Sequence, residues 1–227
     1  MNETTIKLCI YAICKNEIEY VEKWLESVKE ADEVVVLDTG STDGTWEILQ
    51  QSGVKCYQKI FDPFRFDSAR NYALSLVPED CEICLPLDID SRITNGFCKK
   101  IKNAWLKDTA ILYIPRYFTN TNNSDRWFVH ARKDIVWAYP VYEQVKYRGK
   151  VGNNVNAIIT CVWDPNRPSH DLYLDLAKLG VEENPTDPYC LMALRQIEKE
   201  IKSKEVTDER ETNNCGFIND GSTRGSL

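Results

Sequence analysis

The stretch Glu33-Val34-Val35-Val36-Leu37-Asp38-Thr39-Gly40-Ser41-Thr42-Asp43-Gly44-Thr45 decides how this 227-residue chain reads. Val34 to Leu37 is an unbroken apolar run, the pattern of a strand buried on both faces. Asp38 stands at its tip. The residues that follow are turn formers, and Thr42 or Asp43 is placed to cap a helix running to about Gln51. An acid at a strand tip can accept hydrogen bonds from a base or a ribose, and loop amides at a helix start suit polar ligand atoms. The same residues equally make an ordinary strand–turn–helix with Asp43 as cap.

The flanking sequence repeats the alternation. Upstream, Ile6 to Cys14 predicts a buried strand, and Asn16 to Glu30 predicts a helix with Ile18, Val21, Trp24, Leu25 and Val28 on one face. Downstream, Val54 to Lys59 predicts a strand, Asp67 to Leu76 a helix closed by Pro78-Glu79-Asp80, and Cys81 to Leu87 an apolar strand. Strands alternating with helices predict an α/β fold with a mainly parallel sheet covered on both faces. Ligands of such sheets sit beyond the carboxyl ends of the strands, where Asn16, Glu17, Asp38, Asp88 and Asp90 fall.

The second half changes character. Thr109 to Phe118 and Asn123 to Tyr139 carry aromatics in β-type alternation, and Asn156 to Trp163 predicts another strand, ended by Asp164-Pro165. Leu172 to Glu183 and Tyr189 to Ile201 are amphipathic helical patterns. From Lys202 the chain is polar and is expected to be largely disordered. The expected organisation is a domain over 1–165, a helical extension over 166–201 and a tail over 202–227.

Composition excludes several classes. With 43% apolar and 11% aromatic residues, the chain is too rich in core formers for disorder. No apolar run approaches the roughly 20 residues that span a bilayer. A net charge of −7 argues against a nonspecific nucleic-acid binder. The N-terminus lacks the basic and apolar regions of a signal peptide. Nine cysteines, an odd number with several on core strands, predict reduced thiols and a cytoplasmic location. Cys81-Glu82-Ile83-Cys84 has no second pair or nearby His to make a zinc set, and it reads as strand filler.

Asp88-Ile89-Asp90 is the sharpest chemical feature. Two carboxylates one residue apart project to the same side of an extended chain and can hold Mg2+ or Mn2+. Alone, such a pair is also common as solvated loop acids.

Taken together, these pieces resemble the family 2 glycosyltransferases of the GT-A fold. The matching residues occur in order: Lys15-Asn16-Glu17, the Asp38 to Thr45 loop, Phe66-Asp67-Ser68-Ala69-Arg70-Asn71, and Leu87-Asp88-Ile89-Asp90. A bacterial and phage subgroup adds His130-Ala131-Arg132, Pro140-Val141-Tyr142-Glu143 and a helical pair often continuing into tetratricopeptide repeats. The resemblance covers about residues 6 to 200 and implies a metal-dependent, inverting transfer of a sugar from a nucleotide-diphosphate sugar, UDP-glucose at the level of the family, to a hydroxyl acceptor. That acceptor would be a saccharide, a lipid-linked molecule or a protein. By resemblance, the backbone from Ala12 to Cys14 lines the base pocket with Asn16 and Glu17 nearby, and Asp38 contacts base or ribose. Asp88 and Ile89 lie over the ribose, Asp90 ligates the metal, Arg70 sits near the nucleotide or orients the acids, and Glu143 is the catalytic base.

Three departures from the pattern stand out. Thr39 replaces a second acid, Tyr142 replaces a His, and the His expected near the end of the last strand is absent, leaving Asp164 and, less plausibly, His170 as a further metal ligand. Trp127, Trp137 and Tyr142 are candidates to stack on a sugar acceptor or to pack in the core. His130 is either a functional or a packed strand histidine. A nucleotidyltransferase, which would carry a Gly-rich basic loop near Tyr11 to Glu17, and a noncatalytic nucleotide-sugar-binding module are the alternative readings.

Overall fold

The computed structural model describes residues 6–119, 121–162 and 170–215; for 170–171 and 203–215 only the backbone is described. The chain divides into two compact units, Met1–Asn166 and Arg167–Leu227.

The first unit begins with β1 (Leu8–Cys14), α1 (Ile18–Val28), β2 (Glu33–Asp38), α2 (Thr45–Gln51), β3 (Lys55–Gln58), α3 (Phe66–Ser75) and β4 (Ile83–Pro86). It continues with β5 (Ser91–Ile93), α4 (Phe97–Ala104), β6 (Thr109–Phe118), β7 (Ser124–Ala131), β8 (Ile135–Ala138), β9 (Gln144–Tyr147), β10 (Lys150–Asn154) and β11 (Ile159–Cys161). One sheet runs in the order β3-β2-β1-β4-β7-β6-β11-β5, with β10 added to β6, while β8 and β9 form a separate hairpin.

The sheet is mainly parallel, as expected, and mixed: β3, β2, β1 and β4 are parallel neighbours and β10 and β11 run parallel to β6, while β7 enters antiparallel between β4 and β6. The physical reason is connectivity: β6 and β7 are joined by a short turn, which permits only an antiparallel pair. The acids after β4 therefore stand at the seam where the sheet changes direction.

Apolar runs make this sheet because both faces are covered. Along β1, Leu8, Ile10, Ala12 and Cys14 enter one core with Val21, Trp24, Val28 and Leu49. The alternate residues Cys9 and Tyr11 enter a second core with Ala73, Leu74 and Trp137. The two-residue period of a strand splits one continuous run between two cores.

α2 starts after Gly44, which holds φ +100° and so needs glycine; a Cβ there would also approach Ile18 at 3.0 Å. Asp43 nevertheless does capping work from one residue earlier, accepting the Thr45 N–H at 3.0 Å. β5, α4, β9 and β10 carry no counterpart among the sequence expectations, because each is short.

In the second unit, α5 (His170–Glu183) and α6 (Pro188–Cys215) pack against each other. Pro188 opens α6, and Asp187 Oδ1 accepts the Tyr189 N–H at 2.8 Å. α6 continues past Lys202, where the tail was expected to begin, to Cys215. Residues 202–215 contain neither Gly nor Pro, and Lys, Glu and Arg continue a helix readily. The remainder of the expected tail lies outside the described residues.

Candidate active site

Two loops meet beyond the carboxyl ends of β1 and β2. The Asn16 N–H donates to Ser41 Oγ, Asn16 Oδ1 accepts the Thr42 N–H, and the Glu17 N–H donates to Thr45 Oγ1, each at 2.8 Å. Asp43 ties both helix starts together, because its Oδ2 accepts the Ile18 N–H at 3.1 Å. Thr39, standing where an acid was expected, donates both its N–H and its hydroxyl to the Cys14 carbonyl, at 2.8 and 2.9 Å. A hydroxyl can donate there and a carboxylate cannot.

Asp38 is wholly buried. Its Oδ1 accepts the Gly40 N–H at 2.8 Å, the Ser41 N–H at 2.9 Å and Gln58 Nε2 at 3.2 Å, and the Cys14 thiol points at Oδ2. Burial pushes this carboxyl up, but the bonds from Ser41, Gly40 and Gln58 outweigh it and hold the group below the usual carboxylate range. The side chains of Ala12, Cys14 and Ile89 likewise lie in the core.

The acids after β4 are brought to α3 by one cation. Arg70, 4% exposed, reaches Asp88 Oδ1 with Nη2 at 2.7 Å and Glu143 Oε1 with Nε at 2.9 Å. Asp67, the other partner open to it in sequence, is instead taken by Arg65. Burial works against the Arg70 charge, yet Asp88 and Glu143 more than offset this and raise it above its ordinary value. The side chains of Asp88 and Glu143 are 33% and 12% exposed. Asp90 is 7% exposed, with Ser91 Oγ at 3.2 Å from its Oδ1, and its carbonyl accepts the Val162 N–H at 3.0 Å.

Asp164 lies outside the described residues, as does the His170 side chain. Among the described residues no group of three His, Cys, Asp or Glu is gathered to hold a metal. Asp88 and Asp90 are hard oxygen donors that fit Mg2+ or Mn2+, ions that keep several positions for water and phosphate.

Of the two readings of Trp137, a sugar platform or a core residue, the structure shows the second: it is 2% exposed. Its Nε1–H donates to Tyr11 Oη at 2.8 Å. Tyr11 Oη lies 2.8 Å from His130 Nε2, and His130 Nδ1 lies 2.7 Å from the Ala131 carbonyl. A carbonyl only accepts, so Nδ1 carries the proton, Nε2 accepts, and Tyr11 is the donor between them. His130 is therefore the packed strand histidine, and burial lowers its pKa to about 4. Trp127 donates from Nε1 to the Pro86 carbonyl and carries the Arg116 guanidinium over its ring at 4.2 Å. Tyr142 is half-buried at φ +49°.

Two contributors, Arg92 and Arg116, escape a reading of the sequence, and a third, Asn71, enters it only as part of a motif, without a role. Arg92 places Nη1 at 2.7 Å from both the Ile89 and the Ser91 carbonyls, and Nη2 at 2.7 Å from the Tyr20 carbonyl. It thus grips the chain on either side of Asp90. Arg116 pairs with Asp125; burial opposes its charge, while Asp125 and, farther off, Asp88 raise its pKa. Asn71 binds the backbone of Trp137. The available signal was positional: Arg92 follows Asp90 by two residues, and Asn71 follows Arg70 directly.

The family model described as Glycosyl transferase family 2 matches residues 9–164. The lipopolysaccharide core biosynthesis glycosyltransferase LpsC of Rhizobium meliloti (strain 1021) is 34% identical over 94 residues, covering 39% of this chain and 33% of that protein. The match therefore spans about a third of that relative's length. Among solved structures, S. aureus TarS is similar with a TM-score of 0.58 at 14% identity, over 86% of this chain and 43% of that one. TarS 1-349 in complex with UDP-GlcNAc gives 0.58 at 15% identity, over 87% and 73%. At these identities the likeness shows the fold, the helix-flanked mixed sheet of the GT-A glycosyltransferases. Among the described residues no helix is long and apolar enough to cross a membrane.

Proposed function

The chain belongs to glycosyl transferase family 2, and on that premise we propose that it moves a sugar from a nucleotide-diphosphate sugar to a hydroxyl acceptor with inversion. One observation carries this reading: Arg70 gathers Asp88 and Glu143 at the end of β4, where ligands of such sheets bind. A UDP-sugar is the favoured donor, supported by the fold neighbour crystallised with UDP-GlcNAc. UDP-glucose is the first donor to try.

In this reading Glu143 is the base. Arg70 Nε holds Oε1 and so fixes the carboxylate plane, and Oε2 takes the acceptor's proton as its oxygen attacks the anomeric carbon. Attack on the face opposite the leaving diphosphate inverts that carbon. Asp88 and Asp90 would hold Mg2+ or Mn2+, with Asp164 as a further candidate ligand. When bound, the metal supplies positive charge to the departing diphosphate. Asp38 acts indirectly, by holding the amides of residues 40 and 41 in place beside Asn16 and Glu17.

Thr39 and Tyr142, which stand where the family pattern has an acid and a His, favour a second reading, a module that binds a nucleotide sugar without turning it over. A panel of nucleotide sugars with Mn2+ or with EDTA separates the two. Metal-dependent release of the nucleoside diphosphate, abolished by Asp90→Ala and strongly slowed by Glu143→Gln, supports the transferase. Tight binding without release in the presence of any acceptor supports the module. Absence of binding to every nucleotide sugar refutes both.

A further inference from the structure

Glu143 lies in the connection between β8 and β9. These strands pair Ala138 with Gln144 and Trp137 with Val145, so residues 139–143 form the loop of a two-stranded hairpin. A two-stranded hairpin is marginally stable by itself and needs an external anchor. The loop is also backbone-strained, because Tyr139 and Tyr142 both sit at positive φ, 78° and 49°. A carboxylate on such a loop is only as well placed as the hairpin beneath it.

α3 provides the anchor through consecutive residues. Asn71 Nδ2 donates to the Trp137 carbonyl at 2.8 Å, and the Trp137 N–H donates to Asn71 Oδ1 at 2.9 Å. An Asn side chain has the donor and acceptor of a peptide group, so here it pairs with the free edge of β8 as a neighbouring strand would. One residue earlier, Arg70 holds the Glu143 carboxylate and lies 5.3 Å from the Trp137 ring centroid. At the start of the same helix, the Phe66 N–H donates to the Pro140 carbonyl at 3.1 Å. Three points of the hairpin (Trp137, Pro140 and Glu143) are thus referred to one rigid helix, and Asn71 makes the only two-bond contact among them.

We infer that Asn71 is a positioning residue for Glu143: it clamps β8 to α3 and sets how fast the transfer runs without contributing to donor binding. The inference rests on Glu143 as base. A carboxylate displaced by about 1 Å loses on the order of 10- to 100-fold in rate, whereas nucleotide contacts at β1, β2 and β4 are untouched.

The test uses the full chain with Mn2+ and UDP-glucose, following UDP release, UDP affinity by calorimetry, and amide hydrogen exchange by mass spectrometry. In Asn71→Ala, UDP release slows at least about tenfold, UDP affinity stays within about twofold, and peptides over 135–147 exchange faster while those over β1 and β2 do not change. Asn71→Asp keeps the acceptor for the Trp137 N–H and loses only the donor to its carbonyl, so one of the two bonds remains where Asn71→Ala removes both. Its loss of rate shrinks as falling pH protonates the introduced carboxyl and restores a donor. The inference is overturned by unchanged exchange over 135–147, by unchanged UDP release, or by loss of UDP affinity in step with rate. Failure of the underlying reading has another signature: Glu143→Gln then releases UDP at the wild-type rate, while Asn71→Ala still loosens 135–147.

Discussion

Arg70→Met tests whether the candidate site is held together by one guanidinium. Methionine is long enough to cover the Trp137 ring but leaves two carboxylates without their cation. Breaking a buried ion pair by removing one partner costs about 3–5 kcal/mol, whereas an exposed pair is worth about 0–1 kcal/mol. Glu143, 12% exposed, belongs near the first case, and Asp88, 33% exposed, lies toward the second. Loss of the cation–π contact with Trp137 adds about 0.5–1 kcal/mol, which the methionine's own packing partly offsets. The expected loss is about 4 kcal/mol, and for a unit of this size that lowers Tm by roughly 8–16 °C. Thermal unfolding followed by circular dichroism at pH 7 reads it directly. A further sign follows from stranded carboxylates. Adding Glu143→Gln to Arg70→Met restores part of the loss, so the cycle is non-additive. A Tm within about 2 °C of wild type, or strict additivity with Glu143→Gln, refutes the reasoning.

Other perturbations probe the supporting parts. His130 has its folded pKa lowered by burial to about 4 against an unfolded value near 6.5, so below pH 6.5 the unfolded chain binds the proton first and stability falls until about pH 4; an imidazole NMR titration showing His130 protonating near pH 6–7 contradicts this. Asp38 has a lowered folded pKa, so its stabilisation is complete above the unfolded value near 3.9 and is lost as pH falls through the folded one. Asp38→Asn should therefore cost about 1–3 kcal/mol in urea unfolding at pH 7 and progressively less as pH falls below the unfolded value; a cost that does not change with pH argues against a charged acceptor there. Arg92→Lys replaces a planar fork that grips three carbonyls with a single point donor. Mn2+ affinity, measured by electron paramagnetic resonance, should weaken about tenfold, and unchanged affinity removes Arg92 as a support of Asp90.

Local pattern made much of the fold legible. β1, β2, β4, α1 and α3 lie within a few residues of where apolar periodicity puts them, because each buries a run or stripe long enough to stand out from its neighbours. The antiparallel entry of β7 beside β4 had no local sign, since strand direction depends on which edge is vacant when β6 and β7 pair. The break at Asp134, which splits one aromatic stretch into β7 and the separate β8, was equally hidden: φ +61° at that residue turns the chain out of the main sheet.

The candidate site divides in the same way. Asp88-Ile89-Asp90, the Asp38 loop and the Arg70-Asn71 pair are contiguous in sequence, and residue type alone marks them as chemical. Distance shows which of them meet. Asp38 stands at a buried strand tip, where its Oδ1 accepts the amides of residues 40 and 41. His130 and Trp137 have the composition of a functional pair, but Tyr11 lies between them in the core and, with the Ala131 carbonyl, uses up the polar atoms of their rings. The sequence by itself determined the α/β alternation and the list of chemical side chains, which reside in patterns spanning a dozen residues or fewer, and the family, which resides in the order of those patterns along the chain. Tertiary structure alone decided that Arg70 joins Asp88 to Glu143 rather than to Asp67, and that Asn71 finishes the edge of β8. An ion pair or a clamp depends on where separate segments meet, and that position is set by the packing of two cores around one sheet.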